Sequence, residues 1–308
     1  MTAQIDFRAM GCQMLAILDA PVPRARPKLA HVPEWFESWE QSLSRFRENS
    51  ELSQLNRSPG KSVPVSQILW SVLQAAMRAE EASGGLVTPA VLDALERAGY
   101  DRSFDTLKID ERANGKPLAE AAPAIDLSQV KIEPTTRSVL LPLGLRLDFG
   151  GVAKGWAAQQ AMQRLSPYGP ALVDAGGDIA ISGLQGDGTP WVIGVADPLE
   201  PESDLATLNV GRCGVATSGT DYRRWKKDGA WQHHIIDPRS GLPATSDVLS
   251  ATVIAPNVVE AEVAAKSVLI LGSQDGLGWL EAHPAYAGIL ALGDGQRLFS
   301  SRMGTYLD

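Results

Sequence analysis

Strand-length runs and stretches of helical periodicity alternate irregularly along the 308 residues, and this irregularity is what most narrows the folds open to the chain. Helical spacing marks 33–46, where Trp35, Phe36, Trp39 and Leu43 form one stripe, and 66–83, where Ile68, Leu69, Val72, Leu73 and Ala76 form another. Gly84-Gly85 then stops the second helix, as glycine does just past a C-cap. Further helices are expected at 154–165 and 260–271. Alternation of Phe7 and Ala9 with Met14, Ala16 and Leu18 predicts an edge or core strand in the first segment. Other strands are expected at 138–142, 146–149, 171–173, 191–195, 234–236, 251–254 and 287–292. A regular strand–helix rhythm would give a doubly wound parallel sheet; its absence predicts an α+β (mixed α/β) architecture. The polar, proline-containing stretch 101–134 is too poor in apolar residues for its own core, so it reads as a surface excursion of a single domain, 1–308.

Composition removes several classes of function. Apolar residues make up 44% and charged residues 21%, the ordinary globular range. No apolar run approaches the roughly 18 residues that span a bilayer, so no membrane partner is expected. The opening residues carry Asp6 and Arg8 and lack a basic patch followed by an apolar stretch, so no signal peptide is expected and the cytoplasm is the expected compartment. Cys12 and Cys213 are the two cysteines, too few for a disulfide framework or a cysteine-bound structural zinc, and Cys12 is expected to be a small buried side chain. A net charge of −8 gives no electrostatic footprint for nucleic acid. It suits a small ligand held by local cations and backbone amides.

Three glycine-bearing turns can do such work. In Asp148-Phe149-Gly150-Gly151-Val152-Ala153-Lys154-Gly155, glycines let the backbone approach an anion at a helix N-terminus. There Lys154 offers a point charge, and Asp148 an acceptor for a ribose hydroxyl or base amine. The spacing matches neither a P-loop nor the dinucleotide fingerprint, and a tight strand–helix turn with a solvated lysine accounts for it equally. Asp174-Ala175-Gly176-Gly177-Asp178 reads as a ligand contact or a hairpin corner. The stretch 216–222 offers the Thr217 and Ser218 hydroxyls to phosphate or sugar, or forms a turn.

Two further features carry titratable groups. In His233-His234-Ile235-Ile236-Asp237, adjacent strand residues face opposite ways, so at most one histidine can face a site. With a carboxylate nearby it can deprotonate a hydroxyl; a satisfied core histidine is the plainer reading. Glu262 and Lys266 stand four apart on an expected helix and share a face. Most such pairs are surface ion pairs worth a fraction of a kcal/mol. Val263, Ala264, Val268 and Leu269 favour partial burial here, which would make the pair a candidate for function.

The order of these segments is more specific than any one of them. Phe7-Arg8-Ala9-Met10-Gly11, Ser44-Arg45-Phe46-Arg47, 50–57, Ser83-Gly84-Gly85-Leu86-Val87, the Asp148 turn, Gly176-Gly177-Asp178, Ala216-Thr217-Ser218-Gly219, His234-Ile235-Ile236-Asp237-Pro238 and 261–272 follow one another as in one family. Over nearly its whole length the chain resembles the ApbE-type FAD:protein FMN transferases. The resemblance implies an ApbE-like fold, with a central, mostly antiparallel sheet flanked by helices.

It also implies a flavin site. Met10 matches a methionine that packs on FAD, a task suited to a polarisable side chain. Phe46 falls where the family has tyrosine, which keeps stacking and loses a hydroxyl. Gly85, Leu86 and Val87 match a stretch whose backbone contacts the ligand, although the family's Phe-Asp is absent. Asp148, Lys154, Gly176, Gly177, Thr217, Ser218, His234 and Ile235 fall at FAD-binding positions. FAD is then the substrate: FMN passes to a Ser or Thr hydroxyl and AMP leaves, with His234 or Asp237 as general base and Glu262 and Lys266 beside the pyrophosphate. The family's magnesium is held by a carbonyl, here that of Gly151, and by an aspartate and a threonine four apart. Here those two positions hold Glu262 and Lys266. Glutamate still ligates a hard cation; a lysine ammonium does not. Either Lys266 neutralises the pyrophosphate itself, or FAD is bound uncleaved, or the lysine turns outward and Mg2+ binds through Glu262, Gly151 and water. The best-known members are exported, whereas this chain is expected to meet an intracellular flavoprotein acceptor. The rival readings are a non-catalytic FAD carrier or sensor and an FAD pyrophosphatase giving FMN and AMP.

Overall fold

Thr2–Ala9 (β1) and Cys12–Asp19 (β2) form an antiparallel hairpin in which Phe7 faces Met14 and Ala9 faces Cys12. The first segment is therefore two strands rather than one. Its sequence trace is a change of parity: inward positions are odd up to Ala9 and even from Met14. The turn residues Met10 and Gly11 have φ of 49° and 69°, the paired positive values that a two-residue hairpin turn of matching twist requires.

The computed structural model describes residues 2–107, 123–200, 202–227 and 229–307. These divide into two compact units, one of Met1–Glu37, Lys154–Asp221 and Ser246–Asp308, the other of Ser38–Ala153 and Tyr222–Thr245.

The first unit holds an eight-stranded sheet. The hairpin continues into Ala171–Ala175 (β3), Asp178–Ile181 (β4), Cys213–Gly219 (β5), Val248–Ala255 (β6), Ala287–Leu292 (β7) and Arg297–Phe299 (β8). Neighbours in the sheet follow chain order, and every pair is antiparallel. Alternation along β5 sends Cys213 and Val215 to one face, where they join Leu172, Ile179, Ile254 and Ile289 under the hairpin Trp191–Ala196/Asp204–Val210. Ala216 points the other way and packs with Ala255 and Ala261. That second face receives Val258–Leu271, a helix apolar on almost every side and buried accordingly, capped by the Asn257 side chain accepting from the Glu260 amide.

The second unit contains the helix Gln67–Ala82, with Ser66 as N-cap, and small two- and three-stranded sheets. Its core joins Leu95, Ala98, Tyr100, Trp225 and Ile236. Helix Val32–Leu43 buries Phe36 and Trp39. Among the described residues no helix is long and apolar enough to cross a membrane.

Several expectations change. Residues 146–149 form no strand; the Asn56 side chain holds Leu147 instead, donating to its carbonyl and accepting its amide at 2.8 Å each. The expected strand 234–236 is interrupted: Ala230–His233 ends before His234, and Ile236–Asp237 pairs separately with Leu242–Pro243. The third glycine-bearing turn lies largely within β5. Of the excursion 101–134, residues 108–122 lie outside the described part; beyond them Leu127 and Val130 are buried. Cys12 is half-buried rather than fully buried, and neither it nor Cys213 is in a disulfide.

Candidate functional site

Helix Ala153–Leu165 starts straight out of the Asp148 turn, where the amides of Val152 and Ala153 both donate to the Phe149 carbonyl. Its first turn presents Lys154 and the Gly155 amide to helix Val258–Leu271. The Gly155 N–H donates to Glu262 Oε2 at 3.0 Å, so this helix N-terminus is met by a carboxylate. A Cβ at Gly155 would lie 2.6 Å from that oxygen, so the two helices approach this closely only because residue 155 is glycine. Glu262 Oε1 accepts from Lys266 Nζ at 2.9 Å and stands 3.8 Å from Lys154 Nζ. Lys154 Nζ in turn donates to Asp178 Oδ2, at the start of β4. The expected Glu262–Lys266 pair is thus part of a quartet, with Glu262 at 0% and Asp178 at 2% side-chain exposure.

The quartet's electrostatics follow from burial and mutual charge. Burial and the Glu262 charge push Asp178 up to about 6, against the pull of Lys154 and Lys266. Burial alone would raise Glu262, but the two ammoniums and the Gly155 amide hold it below the usual carboxylate range. Burial likewise opposes the charged form of Lys154, and Asp178 and Glu262 more than reverse it, so its pKa rises. Lys154 therefore stays charged.

Other nominated residues of the first unit lie close by in the fold. Gly176 and Gly177 form the β3–β4 corner with φ of 67° and 93°, and the Gly177 amide donates to Asp174 Oδ1. A side chain at Gly176 would strike Cys12 at 2.7 Å. The Thr217 amide donates to the Gly177 carbonyl, and its hydroxyl pairs with that of Thr252 at 2.8 Å. Thr217 is exposed and Ser218 buried, as neighbours on one strand must alternate. Met10 occupies the left-handed region, which costs a side-chain-bearing residue about 1–2 kcal/mol.

In the second unit, Asp148 is held from two sides: Oδ2 pairs with Arg45 Nε at 2.6 Å and Oδ1 accepts the Gly150 amide at 2.8 Å. The Arg45 guanidinium lies over the rings of Phe46 (4.1 Å) and Tyr100 (4.7 Å). Phe46 itself is 41% exposed, a ring face open to stacking. The amides of Gly85, Leu86 and Val87 close the preceding helix, donating to the Glu80 carbonyl, the Ser83 carbonyl and the Ser83 hydroxyl. Gly151 follows Gly150 in the turn and is half-buried. His233 gives its ring to its own loop, Nε2 lying 3.0 Å from the Ala244 carbonyl and Nδ1 accepting the Ile235 amide. Burial lowers its pKa. His234 is half-buried and Ile235 buried. Asp237 is chelated by Arg239 through both carboxylate oxygens. A cavity of about 600 Å³ in this unit, lined in part by Asp93, Glu96, Arg97 and Arg146, contains none of the nominated residues.

Sequence reasoning missed Arg45 and Asp178 as site residues. Both sit inside motifs already singled out, one before Phe46 and one after Gly177; nothing short of the fold pairs them with Asp148 and Lys154.

The donor set beside Glu262 does not fit a divalent cation. Both Glu262 oxygens are engaged, two ammoniums stand within 4 Å of Oε1, and lysine has no lone pair to give. Among the described residues no group of three or more His, Cys, Asp or Glu side chains is arranged to hold a metal.

A family model described as the ApbE family matches residues 9–290. The chain is 31% identical over 294 residues to an FAD:protein FMN transferase of Treponema pallidum, covering 89% of this chain and 79% of that protein. It is 31% identical over 248 residues to one of Vibrio cholerae, covering 78% and 72%. The crystal structure of the ApbE protein of Thermotoga maritima superposes with a TM-score of 0.89 at 25% identity, over the whole of both chains. The flavin transferase ApbE of Vibrio cholerae shares the fold, with a TM-score of 0.78 at 22% identity over 100% of this chain and 99% of that one.

Proposed function

This chain belongs to the ApbE family, and from that premise we propose that it moves FMN from FAD onto a Ser or Thr hydroxyl of an acceptor flavoprotein, releasing AMP. It is a flavin transferase. The acceptor oxygen forms a bond to the FMN phosphorus as the bond from that phosphorus to the oxygen of AMP breaks. AMP carries that oxygen away and the hydroxyl proton passes to a base. The observation that carries the reading is the quartet around buried Glu262 and Asp178, which brings two lysine ammoniums and a helix N-terminus together within one family-ordered set of motifs.

We assign the pyrophosphate to Lys154 and Lys266, with Glu262 as the group that positions both. Gly176, Gly177, Thr217 and Ser218 are assigned to the same ligand, and Met10 to packing on it. The resemblance also gives Phe46, Gly85, Leu86, Val87, Asp148 and Ile235 to FAD, and a single domain 1–308 to the chain. His234 is the preferred base, because Arg239 already occupies both oxygens of Asp237. The resemblance implies magnesium bound through Gly151 and Glu262; the donor set does not suit it, and no step of this reading runs through a metal. We also assign the reaction to the cytoplasm with an intracellular acceptor; cell fractionation tests it.

Incubation with FAD and acceptor proteins, followed by mass spectrometry for covalent FMN and assay of AMP, tests the transfer. An FMN adduct with equimolar AMP is expected. AMP and free FMN without an acceptor would identify a pyrophosphatase, and intact FAD under every condition would identify a carrier.

A further inference from the structure

We infer that the Lys266 ammonium takes the place of a divalent cation beside Glu262, so that this chain meets the charge of the FAD pyrophosphate with Lys266 and Lys154 and takes up no metal there. The inference rests on the flavin-transfer reading for its ligand, and on geometry for the rest. Glu262 is fully buried, and its two oxygens point to three donors: Lys266 Nζ at 2.9 Å and Lys154 Nζ at 3.8 Å from one oxygen, and the Gly155 amide at 3.0 Å from the other. A magnesium ion binds oxygen at about 2.0–2.1 Å, so it would have to evict Lys266 from Oε1 and still face both ammoniums. Its double charge makes each of those repulsions twice that between unit charges. Lys154 has no room to retreat, because it is tied to Asp178, itself buried. Lys266 keeps 13% of its side chain exposed and has three N–H donors, one of which is given to Glu262. The remaining donors suit a phosphate oxygen arriving from the open side. Both lysines come already paired with buried carboxylates, so their positions are set before the ligand arrives.

The test uses the full chain without FAD first. Mn2+ is titrated into wild type, Lys266→Thr and Lys266→Met, with free ion followed by electron paramagnetic resonance. Wild type and K266M are expected to leave Mn2+ free into the millimolar range, and K266T to bind one ion. Stoichiometric Mn2+ on the wild type would overturn the inference, and that measurement needs no variant to fold. FAD affinity is then read by flavin fluorescence in EDTA and in Mg2+. Wild type is expected to bind equally in both. K266M should lose roughly 30-fold or more, with no recovery in Mg2+, and K266T should recover only with Mg2+. Loss of wild-type FAD binding in EDTA would also overturn it. Metal-independent FAD binding by a wild type that forms no FMN adduct would sink the transferase reading and leave the lysine assignment standing.

Discussion

Gly155 donates its amide to Glu262 across 3.0 Å, and a methyl group on Gly155 would sit 2.6 Å from the same carboxylate oxygen. This contact between two helices is therefore also where the charged quartet is fixed. Gly155→Ala should push Glu262 off its donors and cost about 1–3 kcal/mol, as overpacking does. Urea unfolding checks the stability, and FMN transfer should fall along with it. An alanine variant as stable and active as wild type would mean the helices separate freely and the quartet is not rigid.

Met10 holds a conformation that glycine or asparagine would adopt more easily, and such strain is found where a side chain is needed for something else. Met10→Gly should leave stability within about 1 kcal/mol of wild type, relief of strain being offset by the greater freedom of the unfolded chain. FAD affinity should drop roughly tenfold, the order of a lost sulfur–aromatic contact. Unchanged affinity would remove Met10 from the site.

Asp178 gives a pH signature of known sign. Because burial and the Glu262 charge hold it up at about 6, the folded protein keeps a proton that the unfolded chain releases near pH 4. The unfolded state binds fewer protons in that window, so stability falls as pH rises from about 4 to 6. Glu262 acts oppositely: its lowered pKa contributes stability above the ordinary carboxylate range, lost on acidification below it. In a urea series from about pH 4 to 7, Asp178→Asn should lack the decline seen in wild type. Parallel curves would contradict the assignment.

Arg45 and Asp148 are 5% and 12% exposed, and the guanidinium lies against two neighbouring rings. Arg45→Ala should cost about 3 kcal/mol by leaving Asp148 buried beside no counter-charge. Arg45→Lys should restore little, since an ammonium has neither the plane nor the fork. Thermal unfolding of both variants decides between a charge role and a stacking role.

How much of this could be read beforehand depended on whether a feature is local. The stripe Leu69, Val72, Leu73, Ala76, begun by Ser66 and stopped at Gly84, carries its own boundaries, and the helix falls within a residue of them. Strand 287–292 was legible for the same reason: a continuous apolar run. Leu147 was misread as strand because its backbone partner is the Asn56 side chain, 91 residues away, which no periodicity reports. Glu262 and Lys266 announced themselves by helical spacing, whereas Asp178 and the Gly155 amide join them only after the sheet and both helices pack. Motif order pointed to the family; the charge pattern of the site needed three dimensions.

The eight-strand order, which repeats chain order, carries a kinetic consequence. Contacts between sequence neighbours close cheaply, so β1 with β2, and β3 with β4, are ready early in folding. The seam between β2 and β3 is different: everything from Ala20 to Pro170 intervenes between Asp19 and Ala171. Zippering of the sheet must halt at that seam until the distant pieces meet, which makes it the natural place for the rate-limiting event.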